Sequence, residues 1–509
     1  MKTILFLLLF STALINAVFA QEVTYSETIK EDNRNMNFEI LGNFNGKYII
    51  YKNVQRKHRL TIYDHSMKVL EDIKLNFISD KTFNVDFITY PDYFLIIYQF
   101  QKGNNIYCNA AKIDGTGHIV GSEISLDTTK ISFWADNKIY FLTNSEDKQK
   151  ILLYRMLRKN DSFTLSTTLF NAALDKLAKT SQVFDYNERR ETYGDLEVDN
   201  EGTYYYVKET SRNRNDYTNQ LQFFYHKQHA DSTLATTIPL HDHFVDDVKL
   251  KIDNLNRRLF INAFSYKRSA GPVEGLFTVV IDKENFSESQ RALNLFDDSL
   301  RTKLTDRTDW RTAFDNFYIR NIVLKKDSGI LVNMEQYFTQ NRGFNNSAFN
   351  RGYYYDPFPY SYGTPGYYRF QRSYYDYYGS NNSRTGRDVL YNYSDLLIFN
   401  FTKDLKLKWN NIINKKQNDV ETDNFLSYAT LNMGSEIHYL FVDKNKQVIS
   451  DFALQQDGFI KRYATIKSGE VGYTFMPRLL KQVSARQVIV PCQFRNYIAF
   501  AKIDFSMNP

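Results

Sequence analysis

The feature that most constrains this chain is a strand order that keeps returning. An apolar run, a polar turn, a second apolar run, a loop, a third run ending near Asp, a tight turn and a fourth run fill residues 37–75, "NFEILGNFNGKYIIYKNVQRKHRLTIYDHSMKVLEDIKL". The same order fills residues 82–126, "TFNVDFITYPDYFLIIYQFQKGNNIYCNAAKIDGTGHIVGSEISL". Further copies contain "KISFWADNKIYFLTN", "LEVDNEGTYYYVKE", "KLKIDNLNRRLFINAF", "RNIVLKKDSGILVNM", "SYATLNMGSEIHYLFVD" and "LLKQVSARQVIVPCQF". In each, Asn, Asp, Gly or Ser separates two β-rich runs, which is a hairpin signal. The Asp that ends the third run returns in "TIYDHS", "AKIDGTG", "VVIDKEN" and "AKIDFS". A carboxylate there can accept hydrogen bonds from the N–H groups of its own turn.

Copies start near Asn37, Thr82, Lys130, Thr192, Val245, Asp315, Phe425 and Arg478. The shortest intervals are about 45–50 residues, the length of a four-stranded propeller blade, and longer intervals reflect insertions. The last copy stops after three strands at "NYIAFAKIDF", and "QEVTYSETIK", residues 21–30, supplies the missing outer strand. The expectation is therefore all-β: an eight-bladed β-propeller closed by an N-terminal strand, with seven blades as the alternative, forming one domain over residues 21–509. Two stretches break the rhythm and read as short helical insertions. In Thr168 to Lys179, Leu169, Ala173, Leu174 and Leu177 share one helical face, and residues 299–316 form the second candidate.

Residues 1–20, "MKTILFLLLFSTALINAVFA", have the basic, apolar and small-residue order of a cleavable secretory signal. No later apolar run reaches the roughly 18–20 residues that cross a bilayer. No cysteine follows the cleavage site, so a lipid anchor is not expected, and Cys108 and Cys492 read as two buried thiols. The net charge of +6 is spread without a basic run, which argues against nucleic-acid binding.

Catalytic and metal motifs have little foothold. "HKQHADSTLATTIPLHDHFVDD" gathers His226, His229, His241 and His243 with Asp242, Asp246 and Asp247, all competent metal ligands. A strand from Ser232 to Leu240 would hold the two histidine pairs at opposite ends, so no metal site and no cofactor are expected. There is no Gly-x-Ser-x-Gly elbow. Asp246 and Asp247, adjacent on a strand, would point to opposite faces and cannot form a glycosidase couple. The chain reads more readily as a binding protein than as an enzyme.

The interval 339–388 stands apart, because residues 351–388 alone hold eleven tyrosines and five arginines with no lysine. It lies between the second and third strands of the sixth copy. The other long loops of this kind, "TSRNRNDYT" and "KRSAGPVE", and both helical candidates open on the same face. Tyr offers large amphipathic contact area at low rotamer cost, and Arg adds planar donors that stack on rings. The expected partner-binding residues are Tyr353, Tyr354, Tyr355, Phe358, Tyr360, Tyr362, Tyr367, Tyr368, Arg369, Phe370, Arg372, Tyr374, Tyr375, Tyr377 and Tyr378.

"DLLIFNFTKDLKLKWNNIINKKQ", residues 395–417, resembles a blade of quinoprotein-like propellers, with a strand, a turn and a Trp in succession. Trp134, Trp310 and Trp409 occupy unlike positions, so the resemblance does not extend to a quinone. The Asn/Lys/Tyr/Phe-rich composition and the signal are similar to those of envelope proteins of the Bacteroidota. The chain ends inside its last copy, with no C-terminal sorting domain expected. The resemblance implies a periplasmic protein, peripheral to the outer membrane, that binds or plugs an outer-membrane protein complex, the type 9 secretion translocon being one such assembly. Secretion to the cell surface is the alternative location. A glycan-binding or glycan-cleaving propeller is the alternative function, because rings and polar donors also suit sugars.

Overall fold

The middle strands of each copy are apolar on both faces because both faces are covered. Tyr93–Lys102 buries all but its ends and Phe100, whereas the outer strand Val69–Lys74 is almost wholly exposed. The computed structural model describes residues 21–27, 36–131, 138–304, 313–341 and 389–505, except positions 160, 188, 195, 214, 215, 270, 421, 444, 445, 470, 471 and 496.

These residues form antiparallel sheets whose strands follow chain order. Three four-stranded sheets occupy residues 37–74, 82–130 and 141–185. A nine-stranded sheet follows over residues 191–295. Among the described residues its two halves, 191–238 and 244–295, pair strand to strand only where Thr218 lies opposite Val245. Sheets over 317–420 and 429–467 come next, and the closing sheet holds residues 474–504. Its outer strand is Glu22–Tyr25, antiparallel to Tyr497–Asp504 with Glu22 opposite Asp504. Ser26 extends the pairing, its N–H donating to Phe500 O at 2.8 Å. Tyr25 stacks on Tyr473 at 4.7 Å and donates to Ser468 O at 2.9 Å. The chain's first described strand thus completes its last sheet, the pairing expected from the complementary ends.

The core is a cycle of sheet-on-sheet interfaces. Ile49 and Ile96 share one apolar cluster between the first two sheets, and Ile97 and Ile151 share the next. Leu152 with Tyr206, Phe223 with Ile261, and Phe264 with Met334 carry the cycle through residue 334. Ile398 with Phe441 and Val442 with Val490 continue it, and Ile489 with Ile50 returns to the first sheet. The first strand of each unit lines a central cavity. Four-stranded antiparallel units stacked face to face around an axial cavity are a β-propeller architecture.

The turns behave as the recurring Asp suggests. Asp64 Oδ1 accepts from Ser66 N and Lys68 N, Asp114 Oδ1 from Thr116 N and His118 N, and Asp282 Oδ1 from Glu284 N and Asn285 N. At the last copy Asp504 instead accepts from Gln487 Nε2.

Three expectations are corrected. Thr168 to Lys179 is not helical: strands Ser162–Asn171 and Lys176–Asp185 form a hairpin there. Asn171 Oδ1 accepts from Ala173 N and Asp175 N, and Leu174 adopts φ +68°, so the apparent helical spacing arises across a turn. Pairing with a buried neighbour outweighs local periodicity. Of residues 299–316, the helix Asp298–Thr302, capped by Asp297, is present, Phe314 is core, and 305–312 lie outside the described residues. Lys130 ends the outer strand Ile124–Lys130 rather than opening a copy, and the next sheet begins at Phe141–Asn144.

Candidate functional site: a mounted hairpin beside the central channel

The strands flanking the Tyr/Arg-rich segment are longer than their neighbours. Ile330–Asn341 and Val389–Phe401 run 12 and 13 residues and pair from Ile330 opposite Phe401 to Asn341 opposite Val389. Thr339, Gln340 and Asn341, the start of the expected loop, are therefore strand. The inner neighbour Phe317–Leu324 stops at Phe317 opposite Gln336, and the outer neighbour Leu407–Ile413 stops at Leu396. Past those points only Gln417–Val420 pairs with Leu390–Tyr393. The hairpin thus outlasts its inner neighbour and leads in sequence to residues 342–388. Those residues, and all fifteen expected contact residues among them, lie outside the described residues.

Tyrosines pack around the root. Tyr318, Tyr337 and Tyr391 surround Tyr393 and Leu426, with the Tyr337 and Tyr393 rings 4.7 Å apart. The Tyr393 hydroxyl donates to Asp423 Oδ2 at 2.8 Å and accepts from Arg478 Nη1 at 3.0 Å. Arg478 grips both oxygens of Asp423, Nη1 to Oδ2 at 2.7 Å and Nη2 to Oδ1 at 2.9 Å. Such a fork-to-carboxylate pair fixes orientation as well as distance. Burial alone would raise the Asp423 carboxyl, but the charge and hydrogen bonds of Arg478 outweigh it and hold the group below its ordinary range. Burial, then Asp423, pushes the Tyr393 phenol well above its ordinary value.

A second layer lies beneath. Glu335, with no exposed surface, faces Lys415 Nζ at 2.7 Å and Arg320 Nε at 3.2 Å and accepts from Ser427 Oγ at 2.6 Å. Lys415 Nζ also donates to Gln417 Oε1 at 2.8 Å, and Gln417 Nε2 reaches Ser427 O and Val442 O. Asp395, equally buried, accepts from Asn414 Nδ2 at 3.2 Å and Lys415 N at 3.3 Å. Desolvation draws the Lys415 and Arg320 cations below their ordinary values, and Glu335 opposes that shift in both. Arg320, Lys415 and Arg478 balance Glu335, Asp395 and Asp423, so the cluster is neutral as a whole. Every ionised group has a partner, and none is poised as a nucleophile or general base. What the arrangement can do is hold geometry: it ties the hairpin root to the connections entering the next two sheets.

The residues singled out near 226–247 do not converge. His226 is buried, stacked on Tyr204 at 4.8 Å and within 3.1 Å of Thr233 Oγ1, while His229 and His241 are exposed. His243 Nδ1 lies 3.5 Å from Ser265 Oγ. Asp247 Oδ2 accepts from Ile319 N at 2.6 Å, stapling neighbouring sheets. Among the described residues, no group of three or more His, Cys, Asp or Glu side chains is placed to hold a metal ion. Cys108 and Cys492 are free and buried. Sequence reasoning missed the Glu335–Lys415–Arg320 and Asp423–Arg478 clusters, whose members are far apart in the chain and individually unremarkable.

Comparison with known proteins adds little beyond fold. No family model matches the chain, and no curated protein matches it. Among solved structures, the WD40 domain of SCAP from fission yeast aligns at TM-score 0.38 and 8% identity, over 95% of this chain and 98% of that one. Prolyl oligopeptidase B from Galerina marginata aligns at TM-score 0.41 and 8% identity, over 92% of this chain and 55% of that one. Polysaccharide lyase Uly1 aligns at TM-score 0.39 and 9% identity, over 82% and 89%. With such low identities and scores, the class stated above, a β-propeller, rests on this chain's own sheets and cavity. No helix among the described residues is long and apolar enough to cross a membrane.

Proposed function

We propose that this chain is an exported, eight-bladed propeller that acts as a non-catalytic binding subunit, gripping a protein partner with the Tyr/Arg-rich segment. The single observation that carries the reading is the projecting hairpin on its buried ionic mount. A sheet that needed only to close a loop would not extend two strands past the inner neighbour, with a short outer strand, Gln417–Val420, running alongside. The single strand pairing between the two halves of the nine-stranded sheet among the described residues supports reading them as separate blades, and so the count of eight. The export-type residues 1–20 support placing the protein in the periplasm, and the composition supports an outer-membrane assembly as partner, with the type 9 secretion translocon as the particular one to examine. The contact residues would be the tyrosines and arginines from Tyr353 to Tyr378, because a few such side chains carry most of an interface's energy.

The test replaces residues 342–388 with a short Gly/Ser bridge from Asn341 to Val389. Loop closure depends only logarithmically on length, so the propeller should keep its thermal midpoint. Co-purification with outer-membrane proteins from detergent extracts should be lost. Undiminished co-purification would remove the segment from the interface. Retention on polysaccharide that vanishes with the segment would instead establish the glycan reading.

A further inference from the structure

The cavity along the ring's axis measures about 540 Å³, within the range of small-molecule sites, and the hairpin reading gives it no occupant. Its lining is unequal in charge. Lys148, Lys249, Lys251, Arg320, Arg478 and Lys481 face Glu39, Glu146 and Glu197. Three of the cations have carboxylate partners that do not themselves line the cavity: Asp247 at 3.3 Å from Lys249, Glu335 at 3.2 Å from Arg320, and Asp423 at 2.7 Å from Arg478. Of the carboxylates that do line it, Glu146 already accepts from Asn254 Nδ2 at 3.0 Å.

Two lysines of this lining, Lys148 and Lys481, have no carboxylate partner among the described residues. Lys148 donates only to the neutral carbonyl of Thr89, at 2.7 Å. Lys481 makes no side-chain hydrogen bond or ion pair among the described residues, and it enters from the closing sheet while Lys148 enters from the 141–185 sheet. The two amines feel each other across the space: burial first, and then the Lys481 charge, hold the Lys148 amine below its ordinary value. Two amines that line one space without carboxylate partners leave local positive charge that a small anion between them would meet.

We propose that the central channel binds a small polyanion, a molecule carrying several carboxylate or phosphate oxygens, between Lys148 and Lys481. The probes are citrate and inorganic pyrophosphate, titrated into the full chain at constant ionic strength by calorimetry and by thermal shift. At least one should bind saturably, with a Kd below about 1 mM. Lys148→Met/Lys481→Gln should weaken it at least about tenfold, while Lys461→Gln on an outer strand should bind as wild type. The tighter probe assigns the oxygens to carboxylate or phosphate. Should the double variant fail to fold, Lys481→Gln alone, at a half-buried position, provides the same comparison. Absence of saturable binding by both probes to about 10 mM, or undiminished binding by the lysine variants, would overturn the proposal.

Discussion

Replacing Asp423 by Ala leaves the Arg478 guanidinium, 3% exposed in its side chain, with the Tyr393 hydroxyl as its remaining side-chain hydrogen-bond partner among the described residues. Two charge-assisted hydrogen bonds of 2.7 and 2.9 Å are lost, and so is the acceptor of the Tyr393 proton. Breaking a buried pair from one side costs about 3–5 kcal/mol, because the remaining charge stays desolvated. Arg478→Met should cost somewhat less, since the abandoned carboxyl can take up a proton once the cation that lowers it is gone. The double variant Asp423→Leu/Arg478→Met removes both charges and substitutes apolar volume. It should therefore be less destabilised than Asp423→Ala alone, within about 2 kcal/mol of wild type. These values imply a coupling of at least about 3 kcal/mol in a double-mutant cycle that also includes Asp423→Leu. The assay is equilibrium urea unfolding followed by near-ultraviolet circular dichroism, with midpoints compared at constant slope. If Asp423→Ala shifts stability by less than about 1 kcal/mol, or if the double variant costs the sum of the singles, the network is not a coupled unit.

Other perturbations have equally definite outcomes. Gly458 has φ +94°, and a Cβ there would lie 2.7 Å from the indole of Trp409 on the neighbouring sheet, so Gly458→Ala should lower stability by at least about 2 kcal/mol. Gly434→Ala, at φ +86° with open space around it, should cost only about 1 kcal/mol, and thermal unfolding of the two variants separates packing from backbone strain. Lys52 is 3% exposed, donates to Tyr63 Oη at 2.6 Å, and is lowered to about 8, chiefly by burial. Its folded-state value lies below the unfolded one, so the folded protein binds fewer protons between about pH 8 and 10, and this group's contribution to stability rises through that window. Lys52→Met should remove that rise and stabilise the protein at pH 7, which chemical denaturation across pH would detect. Deleting residues 21–26 removes the strand paired with Tyr497–Asp504 and the Tyr25–Tyr473 stack, so the melting temperature should fall and the bared edge should promote association on light scattering.

Strand order, closure and turn chemistry were legible in the sequence because each is local or depends on the two chain ends. Asp64, Asp114 and Asp282 cap turns only a few residues long, and Glu22–Tyr25 was the piece missing from the final copy. The hairpin at Thr168 to Lys179 was misread because Leu169, Ala173, Leu174 and Leu177 have helical spacing whether or not the chain turns at Asn171. The ionic mount could not be read at all. Arg320, Glu335, Lys415, Asp423 and Arg478 are ordinary residues in sequence; pairing within one sheet brings the first three together, and the approach of neighbouring sheets brings Asp423 and Arg478 to within about 3 Å of each other.

That mount bears on what the hairpin does. Apolar packing of the same volume would hold the root together at least as cheaply, because a buried ion pair gives back much of its attraction in desolvation. What apolar packing lacks is direction. The register of the two long strands shifts between Glu335 and Tyr337, where the inner strand ends, and a slip there would turn side chains to the wrong face. Glu335 sits at that shift, held by Lys415, Arg320 and Ser427, while Tyr393 on the facing strand is held by Asp423 and Arg478. Displacing the Glu335 strand by one residue would leave a buried carboxylate without its counterions, a cost of several kcal/mol, and displacing the Tyr393 strand would pull the phenol away from Asp423 and Arg478. The polar mount therefore selects one register of the projecting strands, and with it one direction in which the chain leaves the propeller toward the Tyr/Arg-rich segment.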